Sequence, residues 1–328
     1  MSLATFARRL LPGGGRDRGK VGAAPADDRV VLDELLLRRL ERLALAPRHP
    51  ASAGVGGEHR SRARAPSQDF ADYRPYAPGD DFRQIDWNAY GRLGHLYVKQ
   101  TEAQERLAVH LLLDASQSMA WGAAPASGGR PPFPSKLGYA RNVAAALAYV
   151  SLMRYDRVAI AALGEAPLQL APVQGRGRFA GVVAFLDGVR AAGSMAHDDV
   201  LAQYRVDRRL GGQAVVISDM LSPDGYQDGL DALRRAGLDV LLLHVLSPAE
   251  LKPEIGGELE LVDAETGEIV EVSLTKRTVA EYRERAMAWC ADVEQACAER
   301  AIGYVRVTTD MPLDDFLLRA LRAGMLLK

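Results

Sequence analysis

Long apolar runs of strand length recur through the second part of the chain. Leu107–Leu113, Ala214–Ile217 and Val240–Val245 are nearly continuous in hydrophobic residues, the pattern of parallel strands buried on both faces. Arg157–Leu163 and Gly303–Val307 read as two further strands, and Leu168–Val173 as a weaker edge strand. Between them lie segments with helical spacing: 136–155, 179–190, 198–209, 226–236, 279–300 and 313–326. Strand and helix alternating in this way predict an α/β fold, a doubly wound, mostly parallel sheet of Rossmann type over residues 105–328. One interruption breaks the alternation. Residues 258–263 and 268–274 alternate polar and apolar around Ala264-Glu-Thr-Gly267, which predicts an inserted β-hairpin at about 258–274.

The first hundred residues read differently. Residues 1–29, rich in Gly, Pro and Arg from position 11 on, are expected to form a disordered tail. Val30–Leu45 carries one apolar stripe at helical spacing, and residues 46–68 are a polar loop. A dense segment follows from Phe70 to Thr101, with turn chemistry at Pro78-Gly-Asp-Asp81 and aromatic residues at Tyr73, Tyr76, Phe82 and Trp87. Residues 30–104 are therefore expected to form one N-terminal module, a helix plus a small β-rich piece held by aromatic packing and ion pairs.

Charge narrows the function classes. The formal net charge is −1, but residues 1–64 hold 13 Lys and Arg against 7 Asp and Glu, so the remainder is acidic. The basic residues are spread over a helix and a loop, which suits a solvated tail and not a nucleic-acid arm. No run approaches the roughly 18 apolar residues of a membrane span. The opening residues lack a signal-peptide layout, so a cytoplasmic protein, not integral to a membrane, is expected. Cys290 and Cys297 fall on one helix about 10 Å apart along its axis, too far for a disulfide.

Two segments that mimic phosphate-binding loops carry nothing. Gly14–Lys20 is followed by Val21 where a Mg²⁺-binding hydroxyl belongs, and Gly175–Ala180 follows an edge strand.

The chemistry concentrates where the first buried strand ends, at Asp114-Ala-Ser116-Gln-Ser118-Met119. Ligands of open α/β sheets bind outside the carboxyl ends of the strands. A carboxylate and two hydroxyls form an all-oxygen donor set suited to a hard cation, Mg²⁺ above all, with Mn²⁺ or Ca²⁺ as alternatives. Asp219, ending another buried strand, is the best partner for it. Nucleophilic serine chemistry has one loop imidazole to draw on, His197, and no nucleophile elbow.

The segment resembles the metal-ion-dependent adhesion site of von Willebrand factor A domains. That resemblance implies metal ligation by Asp114, Ser116, Ser118 and Asp219, plus a threonine from an intervening loop. The loop here is Ala192-Gly-Ser194-Met-Ala-His-Asp198-Asp199 and has no threonine. Ser194 could supply the hydroxyl, or Asp198 or Asp199 a carboxylate.

A wider set of residues, Tyr76-x-x-Gly79-Asp80-Asp81-x-Arg83-x-Ile85-Asp86-Trp87, Leu96-Tyr-Val-Lys99, Glu105-Arg106 and Asp114 to Met119, is similar to domain-of-unknown-function family 58. These are bacterial proteins with a von Willebrand A-like domain, commonly encoded beside a MoxR-type AAA+ ATPase. The resemblance implies a non-enzymatic adaptor or co-chaperone that uses a Mg²⁺-dependent site with that ATPase to assemble or mature a client complex. A Mg²⁺-dependent phosphoester hydrolase and a scaffold with a degenerate site are the alternatives.

Overall fold

The computed structural model describes residues 11–13, 29–45, 70–77, 85–101, 108–122, 134–204, 212–222, 224–253, 257–262, 269–322, 324 and 326–327. In chain order the elements begin with β1 (Leu11–Gly13), α1 (Glu34–Leu45), β2 (Phe70–Pro75), α2 (Trp87–Leu93), β3 (Tyr97–Thr101) and β4 (Ala108–Asp114). They continue with α3 (Lys136–Met153), β5 (Arg157–Leu163), β6 (Leu168–Gln174), α4 (Phe179–Gly188), α5 (His197–Gln203) and β7 (Gly212–Ser218). The last are α6 (Gln227–Arg235), β8 (Leu238–Leu246), α7 (Pro248–Leu251), β9 (Gly257–Val262), β10 (Ile269–Leu274), α8 (Lys276–Glu299), β11 (Gly303–Thr308) and α9 (Leu313–Arg322). Residues 1–49 with 107–328 form one compact unit and residues 50–106 a second.

The larger unit is built on a six-stranded sheet of order β11-β8-β7-β4-β5-β6, parallel except for β6, which pairs antiparallel with β5 at the edge. Alternate side chains of each strand enter opposite layers, as the pleat requires. Leu111, Leu113, Ile160, Val215 and Leu243 join the apolar residues of α1, α3, α4 and α9. Leu112, Ala161, Ala214, Val216 and Leu242 join those of α5, α6 and α8. The central strands are hydrophobic at most positions because neither face meets water, and buried polar residues among them, such as His110 and His244, are hydrogen-bonded. The expected doubly wound, mostly parallel α/β fold is the one observed.

Three features differ from the expectation. Helix α1 belongs with the sheet: Leu36 and Leu40 are buried in its core, and the Glu41 carboxylate accepts from the Tyr149 hydroxyl on α3 at 2.6 Å. Its apolar stripe needed a partner surface, and the long helix beside the sheet supplies one. Leu11–Gly13, within the tail expected to be disordered, forms strand β1 against β9 and makes the inserted hairpin three-stranded. Backbone pairing at an open hairpin edge needs no apolar pattern, and proline is tolerated on an edge strand. The short α7 was not foreseen.

The smaller unit pairs β2 with β3 antiparallel. Asp86 caps α2, accepting from the Asn88 and Ala89 N–H groups at 2.9 and 3.1 Å, and Gly94 closes it in the left-handed conformation. Trp87, expected to pack within this module, stands exposed in an edge-to-face pair with Tyr90. Gly79, Asp80, Asp81 and Arg83 lie outside the described residues, as do the phosphate-loop mimic at 14–20 and the loop 46–68. The mimic at Gly175–Ala180 contains a 3₁₀ turn, Arg176–Arg178, between edge strand β6 and α4.

Candidate functional site

The carboxyl ends of β4, β7 and β8 face one mouth of the sheet. At the end of β4 the Asp114 side chain is 1% exposed. Its Oδ1 accepts from the Ser116 N–H at 2.8 Å and its Oδ2 from the Ser218 hydroxyl at 2.6 Å. His197 opens α5 and brings Nε2 to 3.0 Å from the same Oδ2 and 2.9 Å from the Ser218 Oγ. Burial pushes the Asp114 carboxyl up. Hydrogen bonds from His197, Ser116 and Ser218, with the charge of His197, outweigh it and hold the group at about 2.

The chain after Asp114 runs into a 3₁₀ turn, Gln117–Ala120. Ser116 and Ser118 do not cap α3, which takes Ser135 as its cap. Their buried hydroxyl oxygens instead lie 3.0 Å apart. That is the length of a hydrogen bond between them, and it is also about the separation of two oxygens held cis by Mg²⁺ at 2.0–2.1 Å in an octahedron. The intervening loop is stitched to the turn by the backbone, with Ala192 N–H donating to Ala115 O and Gln117 N–H to Gly193 O, both at 2.9 Å. Gly193 has φ of +62°, and a Cβ there would strike the Glu165 side chain, so the position favours glycine.

Ser194, expected to replace the loop threonine, is exposed. Asp199 is exposed as well, and the Asp198 Oδ1 accepts from the Gly229 N–H of α6 at 2.8 Å, tying two helices together. The residue this loop sends to Asp114 is His197.

Asp219 is held elsewhere. Its Oδ2 lies 2.6 Å from Nζ of Lys136, the first residue of α3, and its Oδ1 accepts from the Leu221 N–H at 3.0 Å. The same ammonium donates to the Glu250 Oε1. The Glu250 Oε2 accepts from the Ser247 N–H at 2.7 Å, and the Glu250 carbonyl accepts from the Tyr282 hydroxyl on α8 at 2.7 Å. Lys136, Asp219 and Glu250 are all buried. Burial draws the Lys136 ammonium down, but the two carboxylates more than reverse this and hold it above the ordinary lysine value. Met220, between Asp219 and Leu221, has φ of +54°, a conformation non-glycine residues rarely adopt. His244 Nε2 meets the Asp219 carbonyl at 3.1 Å and Nδ1 the Tyr304 hydroxyl at 2.9 Å.

Sequence reading missed Lys136 and Glu250. Ser247-Pro-Ala-Glu250 is a legible helix-start pattern. Nothing local marks Lys136, because a lysine opening a helix is ordinarily solvated.

The residues fit a cation in part. Asp114, Ser116 and Ser118 form one group with the right donor types. Asp219 is committed to an ammonium, and no cluster of three His, Cys, Asp or Glu able to hold a metal occurs among the described residues. Among the described contacts, one nitrogen of His197 faces both Asp114 and Ser218, whereas a triad uses opposite ring nitrogens for the serine and the carboxylate, so these three groups do not form one.

The family model for "Protein of unknown function DUF58" matches residues 72–291. Uncharacterized proteins of Mycobacterium tuberculosis (H37Rv) and Mycobacterium bovis are each 30% identical over 269 residues, covering 80% of this chain and 81% of theirs. Among solved structures, the conserved hypothetical protein BatB from Bacteroides thetaiotaomicron is 16% identical with a TM-score of 0.39, over 67% of this chain and 98% of its own. An aerotolerance-related membrane protein from Bacteroides fragilis is 17% identical with a TM-score of 0.38, at the same coverages. The fold rests on the strand order above. With a family match across two thirds of its length and relatives 30% identical over 80% of it, the chain belongs to the DUF58 family.

Proposed function

We propose that this protein is a non-enzymatic docking module, an adaptor or co-chaperone whose site at the end of β4 recognises a partner through a bound Mg²⁺. The observation that carries the reading is the buried Asp114 beside two serine oxygens 3.0 Å apart. Asp114, Ser116 and Ser118 would hold the ion. Bound there, Mg²⁺ supplies an electrophilic point that an acidic side chain of a partner can complete. The protein's own groups do the rest. His197 and Ser218 fix the Asp114 carboxylate, and the Gly193 backbone holds the serine turn.

The family resemblance supplies the partner in this proposal, a MoxR-type AAA+ ATPase acting on a client complex. Such an ATPase needs ATP, which supports an encounter in the cytoplasm. The chain's own chemistry favours docking over catalysis, since one nitrogen of the His197 ring faces both Asp114 and Ser218 and the three form no triad.

The test is capture of the neighbouring MoxR-type ATPase by the full chain in Mg²⁺ and in EDTA, for the wild type and Asp114→Ala. Capture should fall at least about tenfold with either change, the loss expected when a charged, desolvated contact is removed. Capture that ignores both would refute the metal-bridged mechanism.

A further inference from the structure

The lysine at the site is the feature that the docking reading does not absorb. Lys136 opens α3, where the helix dipole disfavours a cation, and its side chain is 1% exposed, where an ammonium survives only if paired. Both carboxylates on it have each of their oxygens engaged. Asp219 and Glu250 each give one oxygen to the ammonium and the other to a backbone N–H. The three side chains carry a formal net charge of −1. A divalent ion ligated by Asp219 would have to displace the ammonium or share a buried space with it.

We propose that Lys136 is a built-in cation that withholds Asp219 from the metal, leaving Asp114 as the carboxylate that β4 offers the ion. The proposal rests on the docking reading above and makes the site deliberately short of charge. Ligand charge count sets divalent affinity in oxygen sites, so the ion alone binds weakly and an acidic partner group supplies what Asp219 does not. By linkage, metal and partner then strengthen each other. The lysine also ties the site to the far side of the sheet. Glu250 sits in α7, its carbonyl reaches α8 through Tyr282, and a Cβ at Gly122, in the loop after the serines, would lie 2.8 Å from the Ser247 Cβ.

Calorimetric titration of the full chain with Mg²⁺ tests this. Lys136→Met/Glu250→Gln frees Asp219 while keeping the local charge at −1, and it should bind Mg²⁺ at least about tenfold more tightly than the wild type. Adding Asp219→Asn should remove the gain. Asp219→Asn alone, which leaves Lys136 paired with Glu250, should change wild-type affinity by less than about threefold. An unchanged affinity in the double variant with a wild-type circular dichroism spectrum overturns the proposal. So does a loss of about tenfold in Asp219→Asn, which decides the matter if the double variant does not fold. Asp114→Ala separates the two ideas. Mg²⁺ binding that disappears with it leaves the docking site standing whatever Lys136 does, and binding that survives it, or no binding by any form, removes the docking reading and this proposal together.

Discussion

Asp114 and Asp219 end neighbouring parallel strands, yet their surroundings give them opposite work. Asp114 is held by the Ser116 N–H, the Ser218 hydroxyl and the His197 ring, whose charge helps keep it ionised. Asp219 is neutralised by an ammonium. The histidine behind it adds a pH signature. Burial lowers His244 to about 4 from an ordinary value of 6.5, and its ring is neutral in the fold. The unfolded imidazole therefore takes up a proton first as pH falls, and the contribution of His244 to stability is complete above about 6.5 and declines from there to about 4. The difference corresponds to about 3 kcal/mol. Urea unfolding between pH 7 and 4.5 should show this decline, and His244→Gln should flatten it. An equal slope in both proteins would mean that the ring is not held neutral.

Among the elements, α1 and α7 show how tertiary partners decide membership. Helix α1 has its own stripe, but which body it joins depends on a complementary surface, and the buried Leu40 finds it on α3. Leu40→Ala should cost about 2–5 kcal/mol, the range for emptying a well-packed leucine site. The midpoint of chemical denaturation checks it, and a cost below about 0.5 kcal/mol, typical of a surface change, would place the helix outside the cooperative unit. Helix α7 is too short to be stable alone. It is capped locally, where Glu250 accepts from the Ser247 N–H, and tied to α3, where the same carboxylate accepts from Lys136.

At the scale of the whole molecule, a cation that binds only the folded chain must stabilise it. Mg²⁺ at a hundred times its dissociation constant should add about 2.7 kcal/mol, read as a shift in thermal midpoint that EDTA and Asp114→Ala both abolish. A midpoint indifferent to Mg²⁺ at every concentration would argue for a scaffold whose site takes no metal.

The sequence determined the sheet, because a strand buried on both faces is apolar at most positions, and β4, β7 and β8 therefore announce themselves. It also determined that Asp114, Ser116 and Ser118 share one mouth, since they follow a strand end at short spacing. The tertiary structure alone decided the rest. It put His197 in place of Ser194, because a loop's backbone path, set here by Gly193 and the Ala115 and Gln117 hydrogen bonds, determines which side chain turns inward. It assigned Asp219 to Lys136, 83 positions away, and Glu250 to the same ammonium from 114 positions away. A buried charge is compensated by whatever folding brings beside it, and no local pattern in the chain records that partner in advance.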